Sequence, residues 1–351
     1  MSPPRIRVLV VDDSALARSA IMRSLSQDPS IEVAGVAADA YEAREKIAAL
    51  EPDVMTLDLE MPRMDGLTFL KILQKHHPLP VIVISSFTPE GSTKALEALE
   101  AGAFEVLGKP GGSDLAELSP RISDLVKAAA ASHRSRRRTD VPAAVRTPRE
   151  PADAETFPDG RIVVIGASTG GVEALRDLLP QLPAGMPPIA VVQHIPTNFS
   201  RLMAERLNSL CAFEVREARE GDELANGLCL VAPGDFHLML ATAGRRYKVR
   251  LTQSPPVHHC RPSVDVLFRS AVECGGANAV AVLLTGMGRD GARGMQELRA
   301  SGAHTIAQDR ASSVVYGMPA AAVALGAVVQ ELPLSRIPEA ILGALGKPVP
   351  A

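Results

Sequence analysis

Two sets of side chains in this sequence are of types that carry out chemistry. The first is acidic. Asp12 and Asp13 follow the apolar run IRVLVV (6–11), and Asp58 closes the run DVMTLD (53–58). Ser85 ends PVIVIS (80–85), and Lys109 ends FEVLGK (104–109). Three carboxylates at one point repel unless a divalent cation neutralises them, and oxygen ligands of this kind suit magnesium. A carboxylate in such a pocket can accept a phosphoryl group, with the metal and the Lys109 amine stabilising the transferred charge. The second set is Ser168 within Gly166-Ala167-Ser168-Thr169-Gly170-Gly171, His194 at the end of PIAVVQH (188–194), and Asp290 in LLTGMGRDG (283–291). A hydroxyl, an imidazole and a carboxylate form the nucleophile, base and orienting acid of acyl transfer when they share a crevice.

Both sets depend on the elements that present them. From Arg5 to Lys127 five short aliphatic runs alternate with amphipathic stretches, the last carrying Leu115, Leu118, Ile122, Leu125, Val126 and Ala129. Continuous aliphatic runs suit strands covered on both faces, so this half is expected to be a doubly wound α/β domain with five parallel strands. In such a sheet the carboxyl ends of neighbouring strands meet at one crevice, which brings Asp12, Asp13 and Asp58 together. The alternation resumes from Gly160 with RIVVIG (161–166), PIAVVQH, NAVAVLLTG (278–286) and HTIAQ (304–308), predicting a second, mainly parallel, doubly wound α/β domain. The interval 214–262 is less regular and is expected to hold antiparallel excursions at a sheet edge. Ser168, His194 and Asp290 each follow a parallel-type strand.

Each residue alone has a plainer reading. Asp12 or Asp13 could cap a helix starting near Ser14, Asp290 before Gly291 could cap another, and His194 could be a strand-end histidine beside Pro196. Gly-x-Ser-x-Gly between strand and helix fits a nucleophile elbow, but the stretch also resembles a dinucleotide-binding Gly-x-Gly-x-x-Gly with Ser168 at the middle glycine. The following strand separates the two. A nicotinamide site wants an acid about 20 residues on, whereas Gln193 and His194 stand there and no acid occurs between Asp177 and Glu205. His258 and His259 offer a rival base, or a metal pair with Cys260, although neighbours on a strand point to opposite faces.

Composition closes off other classes. The 351 residues favour two domains. Aromatics are 3%, with no Trp, which argues against a base-stacking surface. A net charge of −3 gives no field toward nucleic acid or anionic lipid. No apolar run reaches the length of a membrane span, so no membrane insertion is expected. Four cysteines without CxxC spacing fit neither a disulfide framework nor a Cys-rich zinc site, and a cytoplasmic protein is expected. Residues 128–155 hold Ala, Arg and Pro but no Leu, Ile, Met or aromatic, too little apolar surface to offset ordering entropy. The expected division is therefore 1–127, a flexible linker 128–155, and 156–351. The basic run 133–138 falls in that linker and reads as a solvated charge cluster.

On these motifs the first domain resembles a response-regulator receiver domain, through Val11-Asp12-Asp13-Ser14, Asp58 inside LDLEMPRMDG, Ser85 and Lys109-Pro110. The resemblance implies Asp58 as phospho-acceptor and magnesium bound by Asp13 and Asp58 with the Glu60 carbonyl, beside Asp12. It also implies that Ser85 touches the phosphoryl oxygen and that a histidine kinase is the phosphodonor. The position three before the lysine, aromatic in many receivers, is Val106, with Phe104 two residues earlier. Residues 156–349 resemble the catalytic domain of the CheB family of chemotaxis protein-glutamate methylesterases, through GASTGG (166–171), QHIP (193–196), RPSVDVLF (261–268), LLTGMGRDG and AQDRASSVVYGMP (307–319). That implies Ser168 as nucleophile, His194 as base and Asp290 as its orienter. The Met287 N–H becomes an oxyanion donor and the Thr169 N–H a second, with no cofactor for the ester chemistry. The implied substrates are glutamate γ-methyl esters, and selected glutamines for deamidation, on the cytoplasmic helical bundles of chemoreceptors. The competing expectation is a response regulator whose output is only binding, against which stand the near-neutral second half and its lack of a short DNA-recognition unit.

Overall fold

The computed structural model describes residues 5–85, 89–109, 119–136, 157–197, 199–243 and 246–346. The chain forms two compact units, Met1–Ala144 and Val145–Ala351.

In the first unit, β1 (Ile6–Val11), β2 (Ile31–Ala37), β3 (Val54–Leu57), β4 (Val81–Ser85) and β5 (Glu105–Gly108) form one parallel sheet in the order β2-β1-β3-β4-β5. Each lies within the run that predicted it. The central strands are buried along their length, as continuous aliphatic runs require when helices cover both faces. Helices α1 (Ala15–Leu25), α2 (Ala40–Leu50), α3 (Gly66–His76), α4 (Pro89–Glu100) and α5 (Ser119–Arg136) follow the strands in turn. The strand order reverses between β1 and β3, and that switch point is where Asp12, Asp13 and Asp58 emerge. Helix α5 continues past the expected boundary at 127, and residues 128–136 are helical with Ala129 and Ala130 buried. Alanine has the highest helix propensity and packs closely, so an Ala-rich extension of an already docked helix stays helical. Leu115, Leu118, Pro110 and residues 137–155 of the expected linker lie outside the described residues.

The second unit has a seven-stranded sheet in the order β15-β14-β13-β6-β7-β10-β8, parallel throughout. Its strands are β6 (Ile162–Ala167), β7 (Ile189–Gln193), β8 (Glu214–Glu217), β10 (Leu228–Val231), β13 (Ala279–Leu283), β14 (His304–Gln308) and β15 (Gln330–Leu332). The helices are α6 (Gly171–Leu178), α7 (Phe199–Asn208), α8 (Val264–Glu273), α9 (Ala292–Ala300), α10 (Met318–Ala324) and α11 (Ile337–Leu345). The expectation for 214–262 needs correction. Its β8 and β10 extend the parallel sheet, because Leu228–Val231 is buried at every position. The antiparallel pairing sits in a separate sheet of β9 (Glu223–Leu224), β11 (His237–Ala243) and β12 (Arg246–Thr252), in the order β11-β12-β9. Leu238, Leu240, Tyr247 and Val249 from that sheet join one core with Val264, Leu267 and Phe268 of α8. The strand order of this sheet reverses at β6, with β7 on one side and β13 on the other, which puts the ends of β6, β7 and β13 at one crevice. No helix among the described residues is long and apolar enough to cross a membrane.

Candidate active site and phosphorylation pocket

The Ser168 turn is held by its neighbours. Gly170 has φ +77°, and a Cβ there would lie 2.5 Å from Val314 Cβ. A Cβ at Gly171 would lie 2.1 Å from Gln193 Oε1, so this helix start can approach β7 only as glycine. The Gln193 Nε2 donates to the Ser168 carbonyl at 2.8 Å and to the His194 carbonyl at 3.1 Å, tying the two loops together. The Ser168 N–H donates to the Thr285 carbonyl at 3.0 Å, so it is already committed within the fold. Gly286 packs directly on the turn: a Cβ there would lie 2.7 Å from Ser168 Cβ. Met287 is the next residue along the chain.

His194 leaves the end of β7 with its N–H on the Ala167 carbonyl at 3.0 Å. Its Nδ1 lies 3.1 Å from Ser168 Oγ, and its Nε2 lies 2.7 Å from Asp290 Oδ2. With the carboxylate able only to accept, the neutral ring carries its proton on Nε2 and leaves the Nδ1 lone pair toward Ser168. Asp290 is buried and takes four further donors: Ser263 Oγ at 2.8 Å and Asp265 N at 3.0 Å on Oδ1, Gly291 N at 3.0 Å on Oδ1, and Val264 N at 2.7 Å on Oδ2. These donors include the first amides of α8, so Asp290 caps that helix from across the crevice. The relation is reciprocal, since Asp265 Oδ1 accepts from Gly294 N of α9 at 2.7 Å.

The charges follow from these contacts. Burial alone would raise the Asp290 carboxyl, but His194 and the amides of Asp265 and Val264 hold it below the usual carboxylate range. Burial would lower His194, yet the hydrogen bond to Asp290, and then the sulfur of Cys260, hold its imidazole above the usual histidine value. An oriented base of raised affinity facing a hydroxyl can take its proton and return it to a leaving group.

The rival base is placed elsewhere. His258 and His259 are in a two-residue turn, both with positive φ, closed by Val257 and Cys260 exchanging backbone hydrogen bonds at 3.1 and 2.9 Å. The adjacent-strand picture for them is therefore corrected to a turn. His258 Nε2 pairs with Asp265 Oδ2 at 3.1 Å, and Cys260 Sγ lies 3.5 Å from His194 Nδ1.

In the first unit the carboxylates of Asp12, Asp13 and Asp58 lie within 4.8 Å of one another. Lys109 Nζ reaches Asp58 Oδ2 at 2.7 Å and Asp12 Oδ2 at 2.9 Å. Burial pushes the Asp58 carboxyl up against the pull of Lys109, and Asp12 adds to the rise. Burial would lower Lys109, but its hydrogen bonds to Asp58 and Asp12 raise it. Ser14, rather than either aspartate, caps α1 by accepting from Ala17 N. The Glu60 N–H donates to Asp58 Oδ1 at 3.3 Å, which sets that peptide at the pocket. Gly66 starts α3 so close to this loop that a Cβ would lie 2.1 Å from the Asp58 carbonyl. Ser85 Oγ is buried at the end of β4 without a hydrogen-bond partner among the described residues. Val106 and Phe104 are both buried.

Comparison with known proteins assigns a family to each unit. The family described as CheB methylesterase matches residues 163–341, and the response regulator receiver domain matches 8–122. A protein-glutamate methylesterase/protein-glutamine glutaminase of Syntrophus aciditrophicus is 47% identical over 342 residues, covering 96% of this chain and 98% of its own. One of Anaeromyxobacter dehalogenans is 50% identical over 349 residues, covering 96% of each. The chain belongs to the CheB methylesterase family. The crystal structure of the Thermotoga maritima CheB methylesterase catalytic domain is 40% identical, with a TM-score of 0.52, and covers 53% of this chain and 99% of that one. The matches give no support to a binding-only output.

Within this CheB-family chain, the sequence reading missed Gln193 as the clamp of the serine turn and Ser263 as a partner of Asp290. Gln193 precedes His194 in a strand whose other residues are aliphatic, a signal that was available. Ser263 had none, because its contact with Asp290 spans 27 positions.

Proposed function

We propose that the chain is a phosphorylation-regulated serine hydrolase that removes methyl groups from glutamate γ-esters, and deamidates selected glutamines, on chemoreceptor cytoplasmic bundles. The observation that carries the reading is the line Ser168 Oγ, His194 Nδ1, His194 Nε2, Asp290 Oδ2, at 3.1 and 2.7 Å. Ser168 Oγ attacks the γ-carbonyl as its proton passes to Nδ1. Asp290 stabilises the imidazolium that forms. The Met287 N–H, with Thr169 N–H, is assigned to the oxyanion, where each such donor is worth about 10²–10³ in kcat. Collapse expels methanol, which takes the proton from Nδ1, and leaves a glutamyl ester on Ser168. Water, deprotonated by the same nitrogen, then releases glutamate. With a glutamine substrate the leaving group is ammonia and the remaining steps are unchanged, so adaptation of receptor sensitivity follows from one site.

Asp58 is proposed as the phospho-acceptor, with a histidine kinase as donor and the cytoplasm as location. Asp12, Asp13, Asp58 and the Glu60 carbonyl would hold Mg²⁺, which would neutralise charge on the transferred group. The close carboxylates and the Ser85 hydroxyl, unpartnered among the described residues, fit that assignment. Lys109 would pair with the phosphoryl group. Fluorophosphonate labelling with mass mapping tests the esterase: the adduct is expected on Ser168 and absent from Ser168→Ala and His194→Ala. A wild-type chain that stays unlabelled sinks the reading.

A further inference from the structure

Cys260 is not part of the ester mechanism, yet its sulfur points at the working nitrogen of His194. Cys260 Sγ lies 3.5 Å from Nδ1, and Ser168 Oγ lies 3.1 Å from the same atom. One lone pair is therefore shared by two neighbours. The separation has a chemical meaning. In a tetrahedral zinc site, with sulfur about 2.3 Å and imidazole nitrogen about 2.0 Å from the metal, the edge between them spans about 3.5 Å. The other side of the ring is prepared in the same sense, because a metal-bound histidine typically gives its second N–H to a carboxylate, and His194 gives Nε2–H to Asp290 at 2.7 Å. Ser168, His194 and Cys260 are all partly exposed, so an ion can enter from solvent.

We propose that His194 Nδ1 and Cys260 Sγ form a binding site for a zinc-like divalent ion, with Ser168 Oγ and water completing the tetrahedron, and that its occupation switches the esterase off. Binding forms one nitrogen–metal and one sulfur–metal bond, and the Cys260 thiol proton leaves to solvent. The lone pair that would accept the Ser168 proton is then consumed by the metal. Borderline-soft ions are selected over magnesium, because sulfur and imidazole are poor ligands for a hard cation. The acidic pocket of the first unit has the opposite, all-oxygen preference. The four cysteines are free thiols. Burial raises Cys211, Cys229 and Cys274, which disfavours the thiolate that a metal needs. The turn that carries Cys260 is closed by mutual Val257–Cys260 backbone hydrogen bonds, which hold the main chain from which the sulfur projects.

The inhibitory consequence rests on the serine-esterase reading; the site itself does not. The experiment uses the full chain with Co²⁺ as a spectroscopic stand-in and ZnCl₂ as inhibitor. Thiolate-to-cobalt charge-transfer absorption is expected in the wild type and absent from Cys260→Ser and His194→Ala. Zinc in modest excess is expected to slow fluorophosphonate labelling of wild type at least tenfold and of Cys260→Ser less than twofold, each relative to the same protein's metal-free rate. The same excess of MgCl₂ is expected to leave labelling unchanged. Absence of the thiolate band in wild type, its survival in Cys260→Ser, or equal zinc inhibition of both proteins overturns the proposal. A chain that never labels but shows the Cys260-dependent band refutes the esterase reading and leaves the metal site standing.

Discussion

Replacing Asp290 by asparagine separates orientation of His194 from the mere presence of a polar group. Oδ1 of Asp290 collects three donors, Ser263 Oγ, Asp265 N and Gly291 N, while Oδ2 collects two, His194 Nε2 and Val264 N. An asparagine keeps its single oxygen where the three converge and turns its amide toward the other two. That amide cannot accept from His194, so the ring proton moves to Nδ1 and the lone pair no longer faces Ser168. The same exchange in a serine-protease triad lowers kcat by about 10⁴ through the wrong tautomer, and a loss of that order is expected here. Val264 N–H is left facing another donor, at about 1–3 kcal/mol, and an anion is lost from the start of α8, at about 0.3–2 kcal/mol. A net destabilisation of about 1–5 kcal/mol lowers Tm by roughly 2–20 °C for a unit of this size. The assay is methanol release from methylated receptor, run below the variant's melting range, with a pH profile. Only neutral His194 accepts the Ser168 proton, so wild-type kcat/KM rises with pH through a raised histidine value. Loss of the Asp290 charge moves that limb to lower pH under a much lower ceiling. Ser263→Ala is the control: it removes one Oδ1 donor at about 1 kcal/mol without changing the tautomer, and activity is expected to stay within tenfold. A folded Asp290→Asn chain whose kcat is also within tenfold of wild type refutes the reasoning.

The remaining expectations are simpler. Ser168→Ala should reduce methanol release by about 10⁶, as loss of a triad nucleophile does, and leave phosphorylation of Asp58 by acetyl phosphate intact; release within tenfold of wild type would move the nucleophile elsewhere. Gly286→Ala puts a methyl 2.4 Å from Met318 Sδ and 2.7 Å from Ser168 Cβ, so the packing around the serine turn must shift; kcat should fall about 10²-fold, with little change in KM, and steady-state kinetics checks the split. Acetyl phosphate with Mg²⁺ should raise methanol release by the full chain, whereas Asp58→Ala should ignore the phosphodonor; equal stimulation of both would exclude Asp58 as the acceptor.

The residues of the two candidate sites could be grouped from sequence because a parallel sheet has only one place to put strand ends. Once aliphatic runs define β1, β3, β6, β7 and β13, the residues just beyond them, Asp12, Asp58, Ser168, His194 and Asp290, are confined to two crevices. The Ala-rich continuation of α5 and the parallel edge formed by β8 and β10 were not legible, since both owe their state to what packs on them. The tertiary structure alone decided which nitrogen of His194 meets Ser168. It also decided that Asp290 caps a helix beginning 26 positions earlier, and that Cys260 faces the imidazole 66 positions away. Sequence periodicity reports the face of an element, which is a local property of the backbone. Hydrogen bonds between loops on different strands depend on where the sheet sets those loops in space, and local sequence carries no record of that.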